Sequence, residues 1–123
     1  FKRKGFYYFL FGTNCNRSPA GSDLLVYTAD HPMGPYTFRG NVNRDDSGEI
    51  IIRAQQNNVV AMPAPGGTEY IWTGERWRSG PTPGWELGHS FQYWAPLRFE
   101  PDGSISRFEW VDEWECAYRR GER

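Results

Sequence analysis

The chain has 123 residues and a formal net charge of −1 at pH 7. That length bounds it to one domain with a modest core. The near-neutral charge argues against nucleic acid or an anionic membrane surface as partner, and no apolar run approaches the roughly 20 residues that span a bilayer.

The eight Phe, seven Tyr and six Trp are many for this length. Aromatic rings supply core volume and also make platforms on which sugars stack. The basic side is nearly all arginine, with lysine only at Lys2 and Lys4. Arginine is a planar fork suited to hydroxyls and carboxylates, although codon bias can also enrich it. Residue 1 is Phe, not Met, and "FKRKGFYYFLFG" runs straight into a strand. The expectation is a piece of a longer chain, with its N-terminus and any export signal out of view. Cys15 and Cys116 lie near opposite ends, without metal-ligand spacing. Free, partly buried thiols and a disulfide both remain open.

In chain order, "GFYYFLFG" (5–12) is an aromatic run bounded by glycines and predicts a strand. "SDLLVYTA" (22–29) is a second strand, and Pro32, Gly34 and Pro35 then turn the chain with His31 as a solvated turn residue. "YTFRGNV" (36–42) is a third strand, and "NRDDSGE" (43–49) is a polar loop. A short run, Ile50–Ile52, leads to the amides of "AQQNN", and "NVVAMP" (58–63) is the next strand. "APGG" (64–67) turns into the strand "TEYIWTGERW" (68–77). A long Pro/Gly-rich loop (78–90) precedes the strand "FQYWAPLRF" (91–99). "EPDG" (100–103) turns into a last strand, "SISRFEWVDEW" (104–114). No segment carries a capped 3.6-residue period, so the chain reads as all-β. Several strands are continuously apolar, which predicts that both sheet faces are covered. The strands fall into two groups of three or four. Such groups fit β-propeller blades, of which 123 residues hold about two. A β-sandwich of seven or eight strands is the alternative.

Six strings stand in a telling order: "FKRKGFYYFLFG", "TADHPMGPY", "AQQNNVV", "YIWTGERW", "FQYWAPLRF" and "FEWVDEW". Together they resemble the C-terminal part of glycoside hydrolase family 43, the five-bladed β-propeller glycosidases, and most nearly its exo-β-1,3-galactanase-like branch. The resemblance runs from Phe1 to about Glu115. It implies an all-β propeller fragment, about the last two blades, with 1–49 as one blade, 50–115 as the next and 116–123 as a tail. The implied activity is inverting, exo-acting hydrolysis of a β-galactoside, or of an arabinoside or xyloside, in plant polysaccharide. It implies an oligo- or polysaccharide substrate, missing N-terminal blades of the same chain, and a secreted or periplasmic location. The rival is a non-catalytic carbohydrate-binding β-sandwich module.

In the branch resembled, a glutamine faces the propeller axis and replaces the catalytic base or positions the attacking water. Gln55 matches it, and strand alternation turns Gln56 elsewhere. The general acid of the family stands just before the "FKR" strand, so it would lie upstream of Phe1, and this chain alone is expected to be inactive. Glu75, Arg76 and Trp77 of "TGERW" are candidate sugar contacts, although family members usually carry Asp where Glu75 stands. Their structural reading is an ion pair and a packed ring. His89 and Gln92 of "GHSFQYW" are candidates for the pocket mouth, against a loop histidine bonding backbone. Asn14 and Cys15 stand where relatives often place a Gly-Trp, so Asn14 is the candidate contact there. Asp112, Glu113 and Glu115 read as a solvated edge. No organic cofactor is implied. Some members hold an axial calcium, for which the sequence shows no ligand spacing.

Overall fold

The computed structural model describes residues 1–13, 18–81 and 89–118, which contain seven strands and no α-helix. The first sheet has the order β1 (Lys2–Arg3), β2 (Phe6–Phe11), β3 (Leu25–Ala29) and β4 (Thr37–Asn41). The second has the order β5 (Gln55–Ala64), β6 (Gly67–Arg76) and β7 (Phe91–Pro96). Every pairing is antiparallel, and each sheet is built from consecutive strands. The tight turn from β1 to β2 has positive φ at both central residues, Lys4 (47°) and Gly5 (94°). This backbone matches the right-handed twist of the flanking strands.

One cluster joins the two sheets. Tyr8, Val26, Val42, Ile52 and Ala54 meet Tyr70, Trp72, Tyr93, Ala95 and Phe108 in it. At one end the rings lock edge to face. Tyr8 and Tyr70 each present an edge-on contact to Phe99, with centroids 5.8 and 5.6 Å apart. Phe1 stacks on Tyr8 at 4.9 Å. At the other end, a fully buried amide ties the first sheet to the approach of β5. Asn43 donates Nδ2 to the carbonyls of Ser22 (2.8 Å) and Ile52 (2.9 Å) and accepts the Ile52 N–H at 2.8 Å. With its donors and acceptor used, this amide escapes the penalty of an unpaired buried polar group. The backbone also closes tightly there: Gly21 has φ 80°, and a Cβ on it would lie 2.6 Å from Cα of Arg53.

Three sequence expectations need correction. First, β5 begins at Gln55, so the amides lie inside the strand and not before it. A bulge between Gln56 and Asn58 inserts the extra residue, and a two-residue turn extends the hairpin to Ala64↔Gly67. Pro63 is tolerated because β5 is an edge strand. Second, 104–114 is not a strand. Only the bridge Phe99↔Ile105 forms, and the following backbone is pinned piecemeal. Phe108 N donates to Val42 O (2.8 Å), Val111 N to Tyr93 Oη (2.9 Å), and the Trp114 indole to Trp94 O (2.8 Å). Alternating aromatics mimic a strand in the sequence, but here Phe108 is buried against Trp72 at 5.1 Å and Trp110 packs on Tyr93 from the outside. Third, the apolar run of β2 is covered on one face only within the described residues. Tyr8 is buried, whereas Phe9 is 52% and Phe11 36% exposed. Those two join Tyr27, Tyr36 and Phe38 in an outward aromatic face with centroid spacings of 5.1–5.9 Å.

Candidate functional site

The antiparallel register assembles a polar row at one end of the second sheet. Gln55 pairs with Glu75, and Glu75 with Gln92. Directly opposed residues in an antiparallel sheet share a face, so these three side chains stand side by side where β5 begins, β6 ends and β7 begins. The next row on that face is Asn58, Thr73 and Trp94. Because of the bulge, Asn57 also reaches this face and donates Nδ2 to Gln92 Oε1 at 3.1 Å. Trp77, just beyond β6, donates its indole N–H to Gln55 Oε1 at 2.6 Å. Both residues are partly buried.

Gln56 faces the other way. It lies opposite Gly74, which lies opposite the buried Tyr93. Its Oε1 accepts the indole N–H of Trp72, whose side chain is 1% exposed. The Trp72 ring lies over Gly74, where any Cβ would overlap it. The alternation expected for the Gln55–Gln56 pair is therefore the arrangement observed, and each amide is held by a different tryptophan.

Arg76 also points to the core side, opposite Phe91. Its guanidinium lies 5.0 Å from the centroid of Trp110, which packs on Tyr93 at 4.5 Å. Its buried Nε has no hydrogen-bond partner among the described residues. The order Glu75–Arg76 thus splits across two faces and does not make an ion pair. His89 is exposed and packs its backbone against Gly80. The turn after β6 holds it at this end: Arg78 N donates to Ser90 Oγ (3.1 Å) and Phe91 N to Ser79 Oγ (2.9 Å). Asn14 and Cys15 lie outside the described residues. Cys116 is a free, partly buried thiol.

The first sheet adds a charged cluster at the same end, which the sequence reading passed over. Asp23 accepts from Arg44 Nε, from Asn41 Nδ2 at 2.7 Å and from Thr13 Oγ1. Ser22, next to it, donates its backbone N–H to Ala54 O at 3.3 Å, so the cluster abuts the start of β5. The Arg44 hydrogen bond is the main reason that the Asp23 carboxyl is held at about 2, below its usual 3.8; the hydroxyl and amide donors add to it, against burial. The signal for this cluster was present as "SD" and "NVNR", polar residues at strand ends. Only the fold brings positions 23 and 44 together.

Chemically, the row offers neutral donors and acceptors beside one carboxylate, Glu75. Carboxamides can orient a hydroxyl or a water without carrying charge. Among the described residues no group of three or more His, Cys, Asp or Glu side chains could hold a metal ion.

Two consecutive antiparallel meanders, packed through one core with an amide-lined end, define an all-β class of fold. Solved structures share it. A GH43 β-1,3-galactosidase, solved with galactodeoxynojirimycin, superposes with a TM-score of 0.71 at 22% identity, over 94% of this chain and 31% of that one. An exo-β-1,3-galactanase from Clostridium thermocellum gives a TM-score of 0.70 at 20% identity, over 86% of this chain and 21% of that one. The chain therefore spans about a third or less of the length of these proteins. The all-β fold is thus shared with glycosidases of family 43, the family that the six sequence strings resemble. No protein-family model and no curated protein matches the sequence.

Proposed function

We propose that these residues are about the last two blades of a five-bladed propeller glycosidase of the GH43 type, with one blade in 1–49, the next in 50–115 and a tail in 116–123. The reaction is inverting, exo-acting hydrolysis of a β-galactoside, with an arabinoside or xyloside of plant polysaccharide as the second choice. The carrying observation is the row Gln55–Glu75–Gln92 at one end of the second sheet, in a fold shared with a β-1,3-galactosidase and an exo-β-1,3-galactanase. Inversion needs an acid for the departing oxygen and a group on the opposite face to hold and activate water. Gln55 takes the holding part of that second role, and the acid comes from upstream of Phe1. Glu75 and Gln92 flank it as hydroxyl contacts. The meander topology weighs against the carbohydrate-binding sandwich, because among the described residues no strand passes from one sheet to the other.

The test is Gln55→Ala in the full-length protein, with β-galactosides and β-1,3-linked galactan oligomers as substrates. Losing a water-positioning group lowers kcat by about 10²–10⁴-fold and leaves KM comparatively unchanged. Unchanged turnover would sink this reading.

A further inference from the structure

An indole nitrogen donates and never accepts. The group facing Trp77 Nε1 at 2.6 Å must therefore be the oxygen of the Gln55 amide, whichever way an amide is drawn. The NH2 end then points away from Trp77. The same logic holds for Gln56 and Trp72, where the indole lies in the core. Gln55 is partly buried and shares its sheet face with Asn57 and Gln92, which are exposed. Trp77 and Gln55 come from the two ends of the β5–β6 hairpin, so this contact also ties the turn after β6 to the first residue of β5.

We propose that Trp77 is a positioning residue, which fixes the Gln55 carboxamide so that it presents its NH2 group, a donor, to a ligand oxygen. The ligand is an oxygen-rich neutral molecule, and the oxygen that is met is a sugar hydroxyl or a bound water. Its identity rests on the function proposed above; the orientation of the amide does not. Gln55 then holds that oxygen by donation and leaves its protons to another acceptor. An amide nitrogen has no lone pair to offer, so Gln55 is not a proton acceptor through the group it presents.

The experiment uses the full-length protein with 15N-labelled tryptophan, and Trp77→Phe assigns the Trp77 indole signal. In Gln55→Leu, the Trp77 indole proton exchanges about tenfold faster, the consequence of losing one hydrogen bond. Gln55→Glu keeps this signal protected, because a carboxylate accepts the same N–H, yet it loses turnover because it has no NH2 to present. Trp77→Phe keeps an aromatic side chain but removes the donor, and it lowers kcat with little change in KM. Combined with Gln55→Ala it lowers kcat no further, the non-additivity of two residues acting as one unit. An indole signal that ignores Gln55→Leu overturns the Trp77 assignment alone. Independent, multiplicative losses for Trp77→Phe and Gln55→Ala overturn the positioning role. A responsive indole with turnover indifferent to Gln55→Ala overturns the presented donor and, with it, the proposed function.

Discussion

Adjacent glutamines with like partners have unlike consequences. Gln56 caps the indole N–H of the core residue Trp72, so Gln56→Ala leaves that donor unpaired in the interior. The expected cost is about 1–3 kcal/mol, checked by urea unfolding. Turnover of the folded variant should be little changed, which separates a structural amide from Gln55. Asp23 makes the pH statement. Its carboxyl titrates near 2 when folded and near 3.8 otherwise, so its pairing stabilises the fold above pH 4. That contribution is lost as pH falls from about 4 through 2, where protonation releases Arg44. Asp23→Asn should lower stability at neutral pH and flatten the decline across that window, measured by denaturant unfolding at a series of pH values.

Among the elements, the β5–β6 hairpin carries the site, and its shape depends on two irregular positions. The bulge at Asn57 turns two successive amides to one face and re-aims the strand start. Gly74 leaves room for the Trp72 ring, which sits in the core with no space to retreat. Gly74→Ala should therefore destabilise by about 1–3 kcal/mol, the cost of overpacking a filled core. It should also displace Gln56 and Trp72 together. Thermal melting and the Trp72 indole signal would report both; an unchanged melting temperature would mean that the ring relaxes freely.

On the scale of the whole molecule, the outer face of the first sheet stands open. Phe9 and Phe38 are 52% and 53% exposed, within a continuous group of rings. A patch of this kind drives association when nothing covers it. The 123-residue chain alone is expected to self-associate and to cleave no aryl glycoside. Phe9→Thr with Phe38→Thr should shift it towards monomer in sedimentation velocity while leaving the buried face, with Tyr8 and Val26, intact. A monomeric parent chain would contradict the open-face reading.

Residue types and short-range order were enough to establish the all-β class, the strands around 6–11, 25–29, 37–41 and 91–96, and the opposite facing of Gln55 and Gln56. Those features follow from the two-residue period of an extended chain and from turn residues such as Gly5 and Pro35, which act locally. The resemblance singled out Gln55 but was silent on what holds it. The bulge at Asn57, the indole of Trp77 and the pairing of Asp23 with Arg44 depend on partners 15 or more positions away in sequence. The segment 104–114 shows the converse. Its alternation satisfies a strand pattern, yet strand or filler depends on whether an open ladder edge or the rings of Trp72 and Tyr93 receive it. That choice belongs to tertiary packing, because cross-strand register and core volume are properties of which surfaces meet.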